Sequence, residues 1–104
     1  MVPTAAFHAL ADPTRIEIVL TLSAGPATVS QLARPHEMSL RAVLKHIRVL
    51  EDAALIATSK QGRTRSCALL PEALAETAAW LTQVEQRWHR RIDRIEQIVE
   101  RTTP

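Results

Sequence analysis

The chain has 104 residues, is 46% hydrophobic and 23% charged, and carries a net charge of +2. That length and balance predict one folded domain over residues 1–104 and exclude a disordered or fibrous chain. One cysteine, Cys67, excludes an internal disulfide and suits a reducing compartment. No apolar run approaches the roughly 18 residues of a membrane span, and the start MVPTAAFHALADP lacks the basic n-region of a signal peptide. A cytoplasmic protein with no membrane partner is the expectation. Aromatics make up only 3%, so Ala, Leu, Val and Ile must fill the core, and a small helical core of this kind often completes itself by oligomerising.

Residues 4–11 (TAAFHALA) predict a short first helix with Phe7 and Leu10 packing and His8 as an ordinary surface or partly buried residue. Asp12-Pro13 restarts the chain, with Asp12 as N-cap and Pro13 at N1, where its missing N–H costs nothing. Ile16, Val19 and Leu20, with Leu22 nearby, read as the buried stripe of a second helix, which Gly25-Pro26 ends. Thr28 caps a short third helix, Val29–Arg34, with Val29, Leu32 and Ala33 inward. Pro35 forbids continuation and biases Arg34 towards extended geometry.

Ser39 then caps a longer helix from Leu40 to Ala53, which has no Gly or Pro. At about 100° per residue, Val43, Ile47 and Leu50 share one stripe, and Arg41, Lys45 and Arg48 share the opposite one. One side can enter a core while the other presents three cations in a row. A helix laid into the DNA major groove needs this: an apolar anchor behind, long basic side chains in front. The plainer reading is a surface helix with a solvated face. Residues 28–53 have a helix-turn-helix layout.

Leu55–Lys60, a tight turn at Gln61-Gly62 and Arg63–Leu70 predict a β-hairpin over 55–70, with Arg65, Cys67 and Leu69 on one face. Such a wing can lay Lys60, Arg63 and Arg65 along a phosphate backbone, although an exposed hairpin is also often charged to protect its edges. Pro71 opens the last helix, to about Glu100. Leu74, Ala78, Leu81, Trp88, Ile92, Ile95 and Val99 recur at steps close to a heptad stripe. At about 1.5 Å per residue the helix is roughly 40 Å long, more than one such domain covers. Pairing with a second copy is expected, with Phe7 of the first helix in the other half of the interface and Trp80 and Trp88 as the large anchors. Intramolecular packing alone is the alternative.

Charge is unevenly spread. Residues 39–65 hold six basic and two acidic residues, +4, whereas the remainder holds seven basic and nine acidic, −2. A basic segment on a slightly acidic body is the footprint of a nucleic-acid reader.

Taken in order, several stretches resemble the ArsR family of winged helix-turn-helix regulators: Ala9-Leu10-Ala11-Asp12-Pro13-Thr14-Arg15, Val29-Ser30-Gln31-Leu32-Ala33, Met38 through Ile56, and Gly62-Arg63-Thr64-Arg65. The resemblance covers about residues 6–75. It implies a mainly α fold of order α-α-α-α-β-β-α with a hairpin wing, dimerised through the first and last helices, and a repressor of its own operon. It implies base-facing positions at Leu40, Arg41, Leu44 and Lys45, next to Ser39 and Arg48. Position 41 is often small or Pro in the family and position 44 commonly Ser, so Arg41 and Leu44 depart from the pattern. Leu44 can meet a thymine methyl. His46 stands where the family often has His or Gln, with a phosphate contact and a packing role equally open.

Many family members sense metals through a Cys-x-Cys pair before the turn or Asp/His pairs on the last helix. Residues 29–38 have no Cys, and Glu85, His89 and Asp93 read better as a solvated row paired to Arg residues than as a chelator. The chain is therefore expected in a branch that does not sense metals, with no metal and no cofactor. Cys67 reads as a packing thiol; as an oxidant sensor it would need a cysteine across chains or a sulfenic acid. An enzyme is disfavoured: there is no Gly-rich phosphate loop and no nucleophile–base arrangement. The expected function is a homodimeric, sequence-specific repressor on double-stranded DNA. The inducer is left open among a small apolar molecule, a protein partner and none. The alternative is a winged-helix protein-interaction module without specific DNA binding, which Leu40 and Leu44 on the presumed DNA face favour.

Overall fold

The computed structural model describes residues 2–102. Its elements are α1 (Thr4–Leu10), α2 (Pro13–Ser23), β1 (Ala27–Thr28), α3 (Val29–Ala33), α4 (Leu40–Asp52), β2 (Ile56–Gln61), β3 (Thr64–Leu69) and α5 (Pro71–Thr102). Helix starts follow local chemistry. The Asp12 carboxylate accepts from the Arg15 N–H at 3.0 Å with Pro13 at the first helical position, and Ser39 Oγ accepts from Ala42 N–H at 3.2 Å. At α3, Thr28 Oγ1 accepts from Gln31 N–H at 3.1 Å while Gln31 Oε1 accepts from Thr28 N–H at 2.8 Å. That reciprocal capping box satisfies two N–H groups a helix start leaves unpaired.

The three strands form one antiparallel sheet in the order β1-β3-β2. The hairpin runs in register from Ile56↔Leu69 to Gln61↔Thr64. It closes on Gly62-Arg63, with Gly62 at φ +62° in the first central position, where a two-residue turn of type II′ requires a positive φ. β1 was not expected from the sequence. Two residues carry no alternation to detect, and only its pairing of Ala27 with Cys67 and Thr28 with Ser66 defines it.

The core gathers one face from each helix above the sheet: Ala9, Ile18, Leu22, Leu32, Val43, Ile47, Leu50, Leu55, Ile56 and Cys67 are all buried. The expected α4 stripe is 0%, 2% and 0% exposed at Val43, Ile47 and Leu50. For α2 the expected stripe needs correction. Ile18, Val19 and Leu22 are buried, whereas Ile16 and Leu20 are 43% and 63% exposed. This helix is apolar on two sides, so a 3.6-residue period fits either, and packing against α1 and α4 selects one. Arg34 is also corrected: it is α-helical at φ −54°, ψ −43°. Pro disfavours that geometry in the preceding residue without forbidding it, and a hydrogen bond from His36 N–H to the Ala33 carbonyl at 3.0 Å continues the turn.

Helix α5 is 32 residues long, about 48 Å at about 1.5 Å per residue. Its start is packed against the rest of the fold. Ala73 and Leu74 pack on the core, Thr77 is buried with its Oγ1 donating to the Ala73 carbonyl at 2.7 Å, and Trp80 meets the Phe7 ring edge-on at 5.5 Å and 72°. Beyond Trp80 the helix projects, giving extents of 75 × 25 × 22 Å. Leu81, Val84, Trp88 and Ile95 are about half exposed or more, and Ile92 is half-buried.

Candidate nucleic-acid interface

Because Val43, Ile47 and Leu50 anchor α4 to the core, the helix must turn Arg41, Lys45 and Arg48 outward, and all three are exposed. Ser39, also exposed, sits at the free N-terminal end of this row. Leu40 is 54% exposed, while Leu44 is half-buried against the edge of the core. The wing lies alongside. Lys60 and Arg65 are directly opposed across the hairpin and so project from the same face, and Arg63 stands in the turn. Like charges directly opposed across strands destabilise a hairpin, so this pair has its natural partner in an external anion. Thr58 Oγ1 donates to the Glu51 carboxylate at 2.5 Å, tying the base of the wing to the last turn of α4.

Two grooves flank α4. One, of about 420 Å³, has Ser30, Leu40, Lys60, Arg63 and Arg65 on its walls. The other, of about 440 Å³, has Arg41, Lys45, Arg48 and Arg65 there, with Glu51 and Asp52 at its far end. Leu44 and Arg65 line both, so helix row and wing make one continuous cationic surface. Among the described residues, none of these six cations lies within ion-pair distance of a carboxylate. Thr28 and Ser30 add hydroxyl groups to the first groove. The charge pattern does not mark them as groove-lining groups, although the T-x-x-Q capping box at Thr28 is the signal that places them at a helix start.

His46 stands apart from the row. Its Nδ1 lies 3.1 Å from Arg15 Nη1 and 3.8 Å from the Asp12 carboxylate; of its two open roles, this geometry supplies the packing one. The Arg15 N–H donating to Asp12 holds that carboxyl below its ordinary pKa. Burial pushes the Cys67 thiol up, with Glu51 adding to the rise. Cys67 is fully buried between Ala27 and Thr58.

Glu85, His89 and Asp93 are exposed, and among the described residues no group of three His, Cys, Asp or Glu side chains gathers to hold a metal. The expected pairing of that row to arginines is not made among the described residues. Arg87, Arg90, Arg91 and Arg94 occupy a stripe of their own, and Glu85 has no arginine three or four residues away. No helix among the described residues is long and apolar enough to cross a membrane.

A family described as a helix-turn-helix domain matches residues 10–59. The HTH-type transcriptional regulator Rv2034 of Mycobacterium tuberculosis is 37% identical over 98 residues, which span 94% of this chain and 89% of that protein. Among solved structures, the ArsR family transcriptional regulator RHA00566 is 48% identical with a TM-score of 0.80, covering 83% of this chain and 89% of its own. An ArsR-like transcriptional regulator from Rhodococcus sp. RHA1 is 33% identical with a TM-score of 0.80, covering 92% and 91%. Sequence, winged fold and cationic face agree: the chain belongs to the ArsR family and is a DNA-binding transcriptional regulator with a winged helix-turn-helix fold.

Proposed function

We propose that this regulator is a cytoplasmic homodimeric repressor that binds an imperfect inverted repeat, in the first instance upstream of its own gene. The observation that carries the reading is the outward row Arg41, Lys45 and Arg48, unpaired among the described residues and continuous with Lys60, Arg63 and Arg65 on the wing. In this reading Arg41 and Lys45 reach base edges, Leu40 and the exposed edge of Leu44 meet thymine methyl groups, and Ser39 and Arg48 contact phosphates. The wing cations follow the backbone beside the major groove.

Two copies pair through the exposed stripe of α5 and through α1, using Phe7, Leu74, Ala78, Leu81, Trp88, Ile92 and Ile95. Their α4 helices then enter successive major grooves about 34 Å apart. Most of the affinity comes from Arg and Lys contacts with phosphates, so it falls steeply with salt. No metal or catalytic step is part of the scheme.

Fluorescence anisotropy of the protein on its own upstream duplex and on an unrelated duplex, at several salt concentrations, tests it. Saturable preference for the upstream duplex with two chains per site and a steep salt slope is the expected result. Equal weak binding to both removes the specific repressor. Absence of binding at low salt moves the face formed by Leu40 and Leu44 to a protein-interaction role.

A further inference from the structure

The cationic row is aimed by whatever fixes the rotation and tilt of α4. Besides the apolar stripe beneath it and the Thr58–Glu51 hydrogen bond at its last turn, a polar side chain from α2 reaches its middle. Arg15, in the first turn of α2, donates through Nε to the Ala9 carbonyl at 2.7 Å and through Nη2 to the His8 carbonyl at 3.4 Å. These carbonyls belong to the C-terminal turn of α1, where helix geometry leaves acceptors short of partners; the His8 carbonyl also accepts from the Ala11 N–H at 3.2 Å. The remaining arm, Nη1, lies 3.1 Å from His46 Nδ1. A guanidinium has donors only, so Nδ1 is the acceptor and the ring proton sits on Nε2. The Asp12 carboxylate, 3.8 Å from the same Nδ1, holds the Arg15 backbone N–H. His46 adjoins Lys45 in sequence, and its ring and the base-facing row turn together. At its other end the bracket grips α1, whose Phe7 packs on Trp80 of α5.

We propose that Arg15 is the positioning residue of the DNA-reading helix: its planar fork braces His46 on α4 against the end of α1 and so couples the packing of α1 and α5 to the aim of Arg41 and Lys45. This rests on the DNA-binding reading of α4. A rigid fork spanning two elements suits the task, because it holds several acceptors in one plane, which a lysine ammonium on a flexible stem does not.

The test compares Arg15→Gln, Arg15→Lys, His46→Leu, His46→Gln and the double variant Arg15→Gln/His46→Leu. The readout is the ratio of affinities for the upstream and unrelated duplexes, with the salt slope beside it and sedimentation to record chain association. Arg15→Gln and His46→Leu should each cut the ratio about tenfold, within the usual range of coupling between sites. The double variant should lose no more than the worse single one. The salt slope should hold, because the phosphate-contacting cations are unchanged. His46→Gln should keep most of the preference, since an amide oxygen accepts from a guanidinium, whereas Arg15→Lys should not restore it.

If Arg15→Gln fails to fold, the contrast between His46→Leu and His46→Gln decides, because both leave the Arg15 bonds to α1 in place. A His46→Leu protein with the wild-type ratio overturns the proposal. So does additive loss in the double variant, or a salt slope reduced by His46→Leu, which would make His46 a phosphate contact. A wild-type protein with no preference for the upstream duplex overturns the DNA reading itself, before any variant is compared.

Discussion

Trp88→Ala tests the proposed pairing of chains separately from the folding of each one. The unpaired chain exposes 7950 Å², whereas a compact monomer of its mass, 11.6 kDa, exposes roughly 5,800 Å². The excess of roughly 2,100 Å² reflects the projecting α5, and Trp88, 62% exposed, is the largest side chain on its stripe. An aromatic side chain can bury roughly 150–250 Å², which leaves about 120 Å² per chain to be covered. At about 25 cal/mol/Å² that is about 3 kcal/mol per copy, and a symmetric pair carries it twice. Association realises only part of buried area as affinity. Half of the sum, about 3 kcal/mol, still raises the dimer dissociation constant roughly a hundredfold. Sedimentation velocity over a dilution series should show Trp88→Ala dissociating at concentrations where the wild type is paired, with helical content of the diluted chain unchanged. Identical dissociation curves for the two proteins would refute the assignment of this stripe to the interface, and with it the scheme that sets two α4 helices one DNA turn apart.

Arg41→Ala and Lys45→Ala should each cost about 1–3 kcal/mol of binding and relax base preference, whereas Arg63→Ala should weaken all duplexes alike and lower the salt slope by about one; anisotropy titrations separate the two patterns, and unchanged affinity in all three would remove this docking face. The capping carboxylate of Asp12 has a pKa held below its ordinary value by the Arg15 N–H, so its stabilisation is complete above the ordinary carboxylate pKa and is lost as pH falls through the depressed one. Asp12→Asn, which caps without titrating, should flatten the acid limb of the melting-temperature profile. Ala54 follows α4 in the left-handed region at φ +58°, where a Cβ is costly, so Ala54→Gly should raise stability by about 1 kcal/mol in urea denaturation. Cys67, buried with its pKa raised by desolvation, should react with a thiol reagent only as fast as the hairpin opens. Rapid labelling of the native protein would show that the sheet is looser than its packing implies.

Much of this regulator is legible in its residues because the relevant forces are local. Asp12, Thr28 and Ser39 start helices by accepting from N–H groups three residues on, and the spacing of Val43, Ile47 and Leu50 leaves Arg41, Lys45 and Arg48 nowhere to go but outward. The Gly62 turn closes the hairpin with Lys60 and Arg63 near its tip for equally short-range reasons. Other features depend on partners far away in sequence. Helix α2 has apolar residues on two sides, and only its neighbours settle that Ile18 and Leu22 go in while Ile16 and Leu20 stay out. The two residues of β1 become a strand because β3 lies beside them. For His46 the sequence leaves a phosphate contact and a packing role open, and only the fold brings Arg15, 31 residues earlier, to 3.1 Å from its Nδ1. Periodicity and capping are properties of a segment, so the sequence determines them. A choice between two equally apolar faces, or the partner of a single polar ring, is a property of contacts that exist only after the chain has packed.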